Sequence, residues 1–562
     1  MSLRPALVTC AFLFLVQPVA AQWSSDPLVN FSLGDGAGDQ VQAKVASTDD
    51  GGAYISWFDS IGNGFDVRVQ KLDAAGNEVF AHNGVLVADR DFSSTQDYSL
   101  DVDAAGNALL AFRDNGGVGT QVTAAKVSPT GTLLWGASNV QLTNTSDFVA
   151  APKIAGTADG GAVVAWTQDV TVHVQKLDGS GGAVWTEDLI LTPTVGSYSA
   201  SDLHDAGSDA ILSIVHQLGG FGSPRRILAQ KYDATGAGLW ADPLLAIFEV
   251  GSLQFGNFPS FEPDGLGGAL FSWYDTGAAL QCYAQHVSSA GLELFPHNGS
   301  AASTNATRVR VSPSISFDAA LDETYLFWTE QTSNQAMSGL YGQKFDSNGN
   351  RLWTDSGSAL VNLGAASITN VSSVRVQSQN FVYWDRSPSF GTDVILGARV
   401  DGMGTMDLGP FDVATTPSSK SRLVAKASTT GFSILAWQDE RVDSGDIFVQ
   451  NVNSDGSLGG GTTSVGDGAI STSDVQLAAP FPNPARQHVQ IRYDGDETDL
   501  LDITVFDSGG RFVRAIQSRG GASGVIDWDV RNETGQRVGP GLYFVRVRMG
   551  DQIASQSVTV IR

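Results

Sequence analysis

The chain has 562 residues with 59 acidic against 33 basic side chains, a formal net charge of −26, and 64 glycines. That acidity excludes a phosphate-backbone binder, so no nucleic-acid partner is expected, and it suits a self-repelling extracellular protein. With no 3.6-residue apolar period sustained over a helix length, the length is expected to be filled by repeats in an all-β fold, with helix scarce.

Residues 1–21 combine Arg4, an apolar run from Ala6 to Val16, and Val19-Ala20-Ala21 ahead of Gln22. That order predicts a signal peptide cut after Ala21. The run is too short to span a membrane, and no other segment approaches the ~20 apolar residues needed, so no transmembrane segment is expected. With Cys10 in the leader, the mature chain keeps one thiol, Cys282, read as an inert strand residue.

Residues 22–463 repeat one unit. KLDAAGNEVF from Lys71, KLDGSGGAVW from Lys176, KYDATGAGLW from Lys231 and KFDSNGNRLW from Lys344 each show a strand end, an Asp-x-x-Gly turn and an aromatic four residues on. Asp accepts backbone amides of its own turn, and Gly takes the positive φ that the turn requires. The turn glycines are Gly76, Gly131, Gly181, Gly236, Gly291, Gly349, Gly404 and Gly456, about 55 residues apart. A second anchor precedes each: Trp57, Phe112, Trp166, Ile214, Trp273, Trp328, Trp384 and Trp437. Four short strands per period, eight times over, predict an eight-bladed β-propeller.

Trp23 looks like the start of a fourth strand with no first three, and the eighth repeat has Gly460 where its aromatic belongs. The expectation is therefore that residues 22–31 supply the outer strand of the last blade, with Trp23 packed against residues 432–453.

Residues 464–474 read as a Gly/Ser/Thr linker, and 475–562 as a second domain, a β-sandwich of six or seven short strands. In that tail, Phe481-Pro482-Asn483-Pro484, Ile491-Arg492-Tyr493, Val505-Phe506-Asp507, Gly510-Arg511, Trp528-Asp529, Gly535 and Gly541-Leu542-Tyr543-Phe544 stand in fixed order. This pattern resembles the type A sorting domain of type IX secretion cargo and the immunoglobulin-like domains related to the flagellar hook cap. The resemblance implies the secretion machinery of the outer membrane as a partner, an extracellular or cell-surface location, and Pro482, Asn483, Pro484, Trp528, Gly541 and Tyr543 as sorting-domain positions. The chain departs from the pattern in ending at Ile561-Arg562 with no nearby lysine and in carrying Ala485.

Candidate chemistry is sparse. Acidic residues follow the second-strand anchors, among them Asp59, Asp114, Asp275, Asp385 and Asp439, and on a propeller they would share one face. A carboxylate ring could take Ca²⁺ or a sugar, but no dedicated calcium loop is spelled out and Asp is also a turn residue, so no cofactor is expected. The seven histidines show no zinc spacing, and the turns do not match a sialidase Asp box. The fourth repeat breaks the rule with Ile214 and the loop HQLGGFGSPRRI, which places Arg225 and Arg226 on a candidate binding rim. The reading is a secreted binding or adhesion module for a glycan or protein ligand. The alternatives are a polysaccharide-active enzyme, which needs carboxylates or a Tyr/His/Arg set converging in the central cavity, and a structural surface component.

Overall fold

The computed structural model describes residues 23–61, 64–90, 92, 95, 98–241, 243–254, 259–460, 476–477, 480, 482–494, 500–507, 511–519, 523–549 and 552–562. The leader expected at 1–21 and the linker expected at 464–474 lie outside them. The chain divides into two compact units, residues 1–462 and 463–562.

In the first unit, eight antiparallel sheets of four strands follow one another. The first is Gln40–Ser47, Ala53–Ile61, Gly64–Leu72 and Val85–Ala88, in that spatial order. Each sheet's first strand touches the first strands on either side, and Lys420–Ala427 of the last meets Gln40–Ser47 of the first. The sheets therefore close into an eight-bladed propeller whose first strands line the axis.

One contact repeats around the ring. All eight turn glycines have φ between +77° and +87° and donate to the carbonyl three residues earlier at 2.9–3.1 Å. The space where a Cβ would stand is filled by the aromatic of the preceding blade: Trp135 against Gly181, Trp185 against Gly236, Trp240 against Gly291, Phe295 against Gly349, Trp353 against Gly404. The indole N–H groups of Trp185, Trp240 and Trp353 donate across the seam to Ala234, Ser289 and Gly402 carbonyls at 3.1–3.2 Å. Glycine is thus required twice, for its φ and for the missing methyl.

The eighth member of this series is Trp23. It packs on Gly76 of the first blade, donates toward the Ala74 carbonyl at 3.4 Å and lies edge-on to Phe432 of the last blade at 6.4 Å. The closing strand is Phe31–Gly34, paired with Asp446–Asn453, and not residues 22–31 as expected. The difference has a local cause. Asp26 accepts the amides of Leu28 and Val29, making a turn where the repeat pattern implies strand. Nor does the aromatic open the fourth strand in the other blades: Trp185 precedes Leu189–Leu191, because the aromatic is committed to the seam.

In five blades a buried glutamine near the end of the third strand sets the aromatic. Gln70, Gln175, Gln230, Gln285 and Gln343 accept the amide of Phe80, Trp185, Trp240, Phe295 and Trp353 at 2.9–3.3 Å. In the last blade Gln450 instead donates to the Ser24 carbonyl at 2.7 Å and accepts from Asn30. The amino-terminal segment is thus held by a glutamine at the same repeat position as in five other blades.

The second unit has sheets of three and four antiparallel strands. Val489, Ile491 and Trp528 of one and Ile503, Val505, Tyr543, Val545 and Val558 of the other share a single core. No helix is long and apolar enough to cross a membrane among the described residues.

Candidate functional site

The residues that follow the second-strand anchors serve their own blades. Asp59 is buried, ion-paired with Arg68 at 2.5 Å and bonded by Gln40 at 2.9 Å. Asp439 accepts from the Trp437 indole at 2.9 Å and pairs with Arg441 at 2.6 Å and Lys420 at 3.2 Å. Burial works against its charge, but these donors hold it below the usual carboxylate range. Asp275 accepts the amides of Gly277 and Gln281 within its own turn. Asp114 is raised by burial. Asp385 is fully buried, bonded by Asn370 at 2.5 Å, and burial pushes it up to about 7. These carboxylates are distributed one per blade and do not converge.

Arg225 opens the strand Arg225–Tyr232 and is buried, with its guanidinium donating to the Gln254 carbonyl at 3.0 Å. Arg226 is half-buried in the same strand, opposite His216. Cys282 is fully buried and its thiol is raised by burial, which makes it unreactive.

In the tail, the segment with Asn483 and Ala485 bonds to the end of the final strand, Gln552–Val560. Asn483 accepts the Thr559 amide at 2.9 Å and donates to Ser557, and Ala485 exchanges backbone bonds with Thr559 and Ile561. Pro482 and Pro484 flank Asn483, with a cis bond before Pro484. Trp528 is buried edge-on to Tyr543 at 5.5 Å, whose hydroxyl donates to the Gly539 carbonyl. Gly541 begins the strand that carries Tyr543. Phe481 and Gly510 lie outside the described residues.

Convergence occurs on the axis instead. A cavity of about 440 Å³ is lined by first-strand residues of six blades, and a second of about 270 Å³ shares Ser47, Asp101 and Asp205 with it. The register arranges the walls in layers. Paired with the residue just before each second-strand anchor are Lys44, Ser99, Lys153 and Asp202. Two residues further along stand Asp101, His204, Glu262 and Lys426.

Several first strands carry a bulge immediately before the first layer. Gln42, Ala151, Ser312, Asn370 and Arg422 there have φ of +50° to +63°. Side chains other than glycine in this region cost on the order of 1 kcal/mol each. A bulge turns the following side chains, so the strain is concentrated where the axial layers are aimed.

Electrostatics inside the channel are uneven. Lys426 reaches Glu262 at 2.9 Å across the axis, from the last blade to the fifth. Burial opposes charge on Asp202, yet His204 at 3.5 Å and the charge of Lys153 hold it well below the usual carboxylate range. Asp101 is pushed up to about 6 by burial, although it accepts the Gly156 amide at 2.8 Å. The sequence reading missed these residues. A register count back from each Trp anchor was the available signal, but the bulges interrupt alternation. Among the described residues, no cluster of three His, Cys, Asp or Glu is placed to hold a metal ion.

Fold and tail together define a secreted propeller protein carrying an export domain. Residues 479–561 match the model of a secretion system C-terminal sorting domain, which marks proteins sent across the outer membrane and attached to the cell surface or released. No curated protein matches the chain. Among solved structures, the Dos1 propeller is similar at 12% identity over 75% of this chain and 94% of that one, TM-score 0.44. A eukaryotic initiation factor follows at 10% identity over 76% and 89%, TM-score 0.36. An α-L-arabinofuranosidase from Clostridium thermocellum is 14% identical over 45% and 92%, TM-score 0.28.

Proposed function

We propose that this protein is a binding module of the cell surface or the extracellular medium, whose propeller holds its ligand in the axial channel. The C-terminal sandwich, read as immunoglobulin-like, engages the type IX secretion machinery for export or attachment. The observation that carries this reading is the charged, layered cavity of about 440 Å³, set on bulged first strands. Its size falls in the ~300–1,000 Å³ range of small-ligand pockets. Local strain recurring at one height in several blades is spent on positioning side chains, which a filler or spacer does not need. The test is a thermal-shift screen of the secreted chain against saccharides, peptides and amino acids, beside Ala46→Trp, which plugs the channel from its wall. A saturable shift lost in the plugged variant is expected. A shift that survives the plug, or none with any class, defeats the reading.

A second reading, glycosidic-bond hydrolysis in the same channel, is favoured by one specific contrast. Asp101, pushed up to about 6, holds a proton below that pH while Asp202 stays ionised. Such a split is what a general acid and a partnering carboxylate require. Release of reducing ends from a polysaccharide panel, abolished by Asp101→Asn, would establish it; no release from any polysaccharide refutes it.

A further inference from the structure

The channel's charges are sorted by height, and that sorting selects a ligand. One layer holds Lys44 and Lys153 with Ser99 between them in blade order. Lys44 also lies over the Tyr98 ring at 5.0 Å from its centroid. Toward the opposite mouth stand Asp101, then Asp205 one residue further, then Asp49 among the turns that join first and second strands. Asp205 is exposed to the channel and its height is three residues from that of Lys153.

Asp202 stands in the lysine layer, and His204, Glu262 and Lys426 stand at the height of Asp101; Asp202 pairs with His204 and Glu262 with Lys426. Apart from those pairs, the channel carries Lys44 and Lys153 at one height and Asp101 and Asp205 toward the other mouth, in a protein whose net charge is −26. At about 3.3 Å of rise per strand residue, the two heights differ by roughly 7 Å from Lys153 to Asp101 and roughly 10 Å to Asp205.

A molecule matching this field carries an anion and a cation separated by that span. A free amino acid is too short, since its ammonium and carboxylate are attached to one carbon. A neutral sugar has no charges to place. An extended peptide spans about 3.3–3.6 Å per residue, so two or three residues bridge the distance. Resting on the channel-binding reading above, we propose that the channel takes a short linear peptide of two or three residues. Its carboxylate meets the Lys44 and Lys153 layer, and its ammonium meets Asp101 and Asp205. The serine hydroxyl of Ser99 and the walls contributed by Ala46 and Ile154 leave room for small side chains.

The experiment is titration calorimetry of the full secreted chain with tri-alanine, N-acetyl-tri-alanine and tri-alanine amide. Tri-alanine is expected to bind, with each cap weakening it tenfold or more. In Lys153→Gln the penalty for the amide should shrink to within about twofold while the penalty for the acetyl cap persists. In Asp205→Asn the reverse is expected. Both side chains face the channel, and unchanged melting temperatures confirm that the variants fold.

Equal affinity for capped and uncapped peptides overturns the proposal, as does binding of a neutral disaccharide in place of tri-alanine. If the disaccharide is lost in Ala46→Trp, channel binding stands and only the ligand class falls. If no probe binds the wild-type chain, the peptide proposal falls, and the channel reading falls with it only if the wider screen of saccharides, peptides and amino acids also gives no shift.

Discussion

At Gly291 a Cβ would lie 2.6 Å from the Trp240 ring, and φ is +78°. Gly160 has nearly the same φ, +79°, with nothing within 4 Å of its Cβ position. The pair separates two costs that usually arrive together. Gly160→Ala should lose only the backbone term, about 1 kcal/mol. Gly291→Ala must also move Trp240, whose backbone amide is held by Gln230 and whose indole N–H is held by the Ser289 carbonyl, and should cost about 3 kcal/mol or more. Urea denaturation of both variants checks the ranking; equal losses would mean that the aromatic seat does not depend on the missing methyl. Buried carboxylates follow a comparable rule at this scale. Asp59 and Asp439 are paired, whereas Asp385 has Asn370 as its bonded partner and its carboxyl rises toward neutrality.

Between elements, two histidines staple neighbouring blades at seams four blades apart. His82 bridges Glu78 of its own turn at 3.0 Å and Asp35, beside the closing strand, at 2.9 Å. His297 does the same with Glu293 at 2.9 Å and Glu249 at 3.3 Å. Burial works against charge on His82, but the two carboxylates raise it above its ordinary 6.5; for His297 the Glu293 bond leads the same rise. A raised imidazolium contributes fully below the unfolded value near 6.5, and the contribution is lost as pH climbs through the folded value. His82→Gln should therefore lower the melting temperature at pH 5 and converge with wild type by about pH 9. The ring is nearly half-exposed, so the effect is small, no more than about 1 kcal/mol. A constant gap across pH would show that the ring acts by packing.

Much at this scale was legible before the fold. Asp-x-x-Gly turns and Trp anchors are local signals, and they located eight blades because each motif dictates its own hairpin. His82 and His297 could be seen as equivalent turn residues, but their carboxylates Asp35 and Glu249 come from the neighbouring blade, a contact no local pattern spells out. The axial site was hidden for a related reason. Lys44, Lys153, Asp202 and Asp101 are single charges in strands some 50 residues apart, and bulges at Gln42 and Ala151 break the alternation that would have marked them as facing one way. The loop before Arg225 reads as long and polar, and its guanidinium turns inward to the Gln254 carbonyl, a contact that no local pattern spells out.

For the propeller as a whole, the question is whether its amino-terminal segment is a loose tether or a full member of the ring. Three contacts favour membership: Trp23 occupies the seat at Gly76, Gln450 holds Ser24, and Asn30 donates to the Val413 carbonyl of the seventh blade at 2.8 Å. A ring with one seam open exposes two sheet faces and an unpaired edge on Asp446–Asn453, so the loss spreads to both neighbours. If membership is complete, Trp23→Ala should destabilise the propeller as much as Trp240→Ala, about 3–5 kcal/mol each. The comparison controls for chemistry, because both indoles sit on a turn glycine and donate to a carbonyl across the seam. A tether that frays independently would instead make Trp23→Ala nearly silent while Trp240→Ala remains costly. Calorimetric unfolding of the two variants decides between them, and a single cooperative transition in wild type that splits in Trp23→Ala would place the weak point of the circle at its first residues.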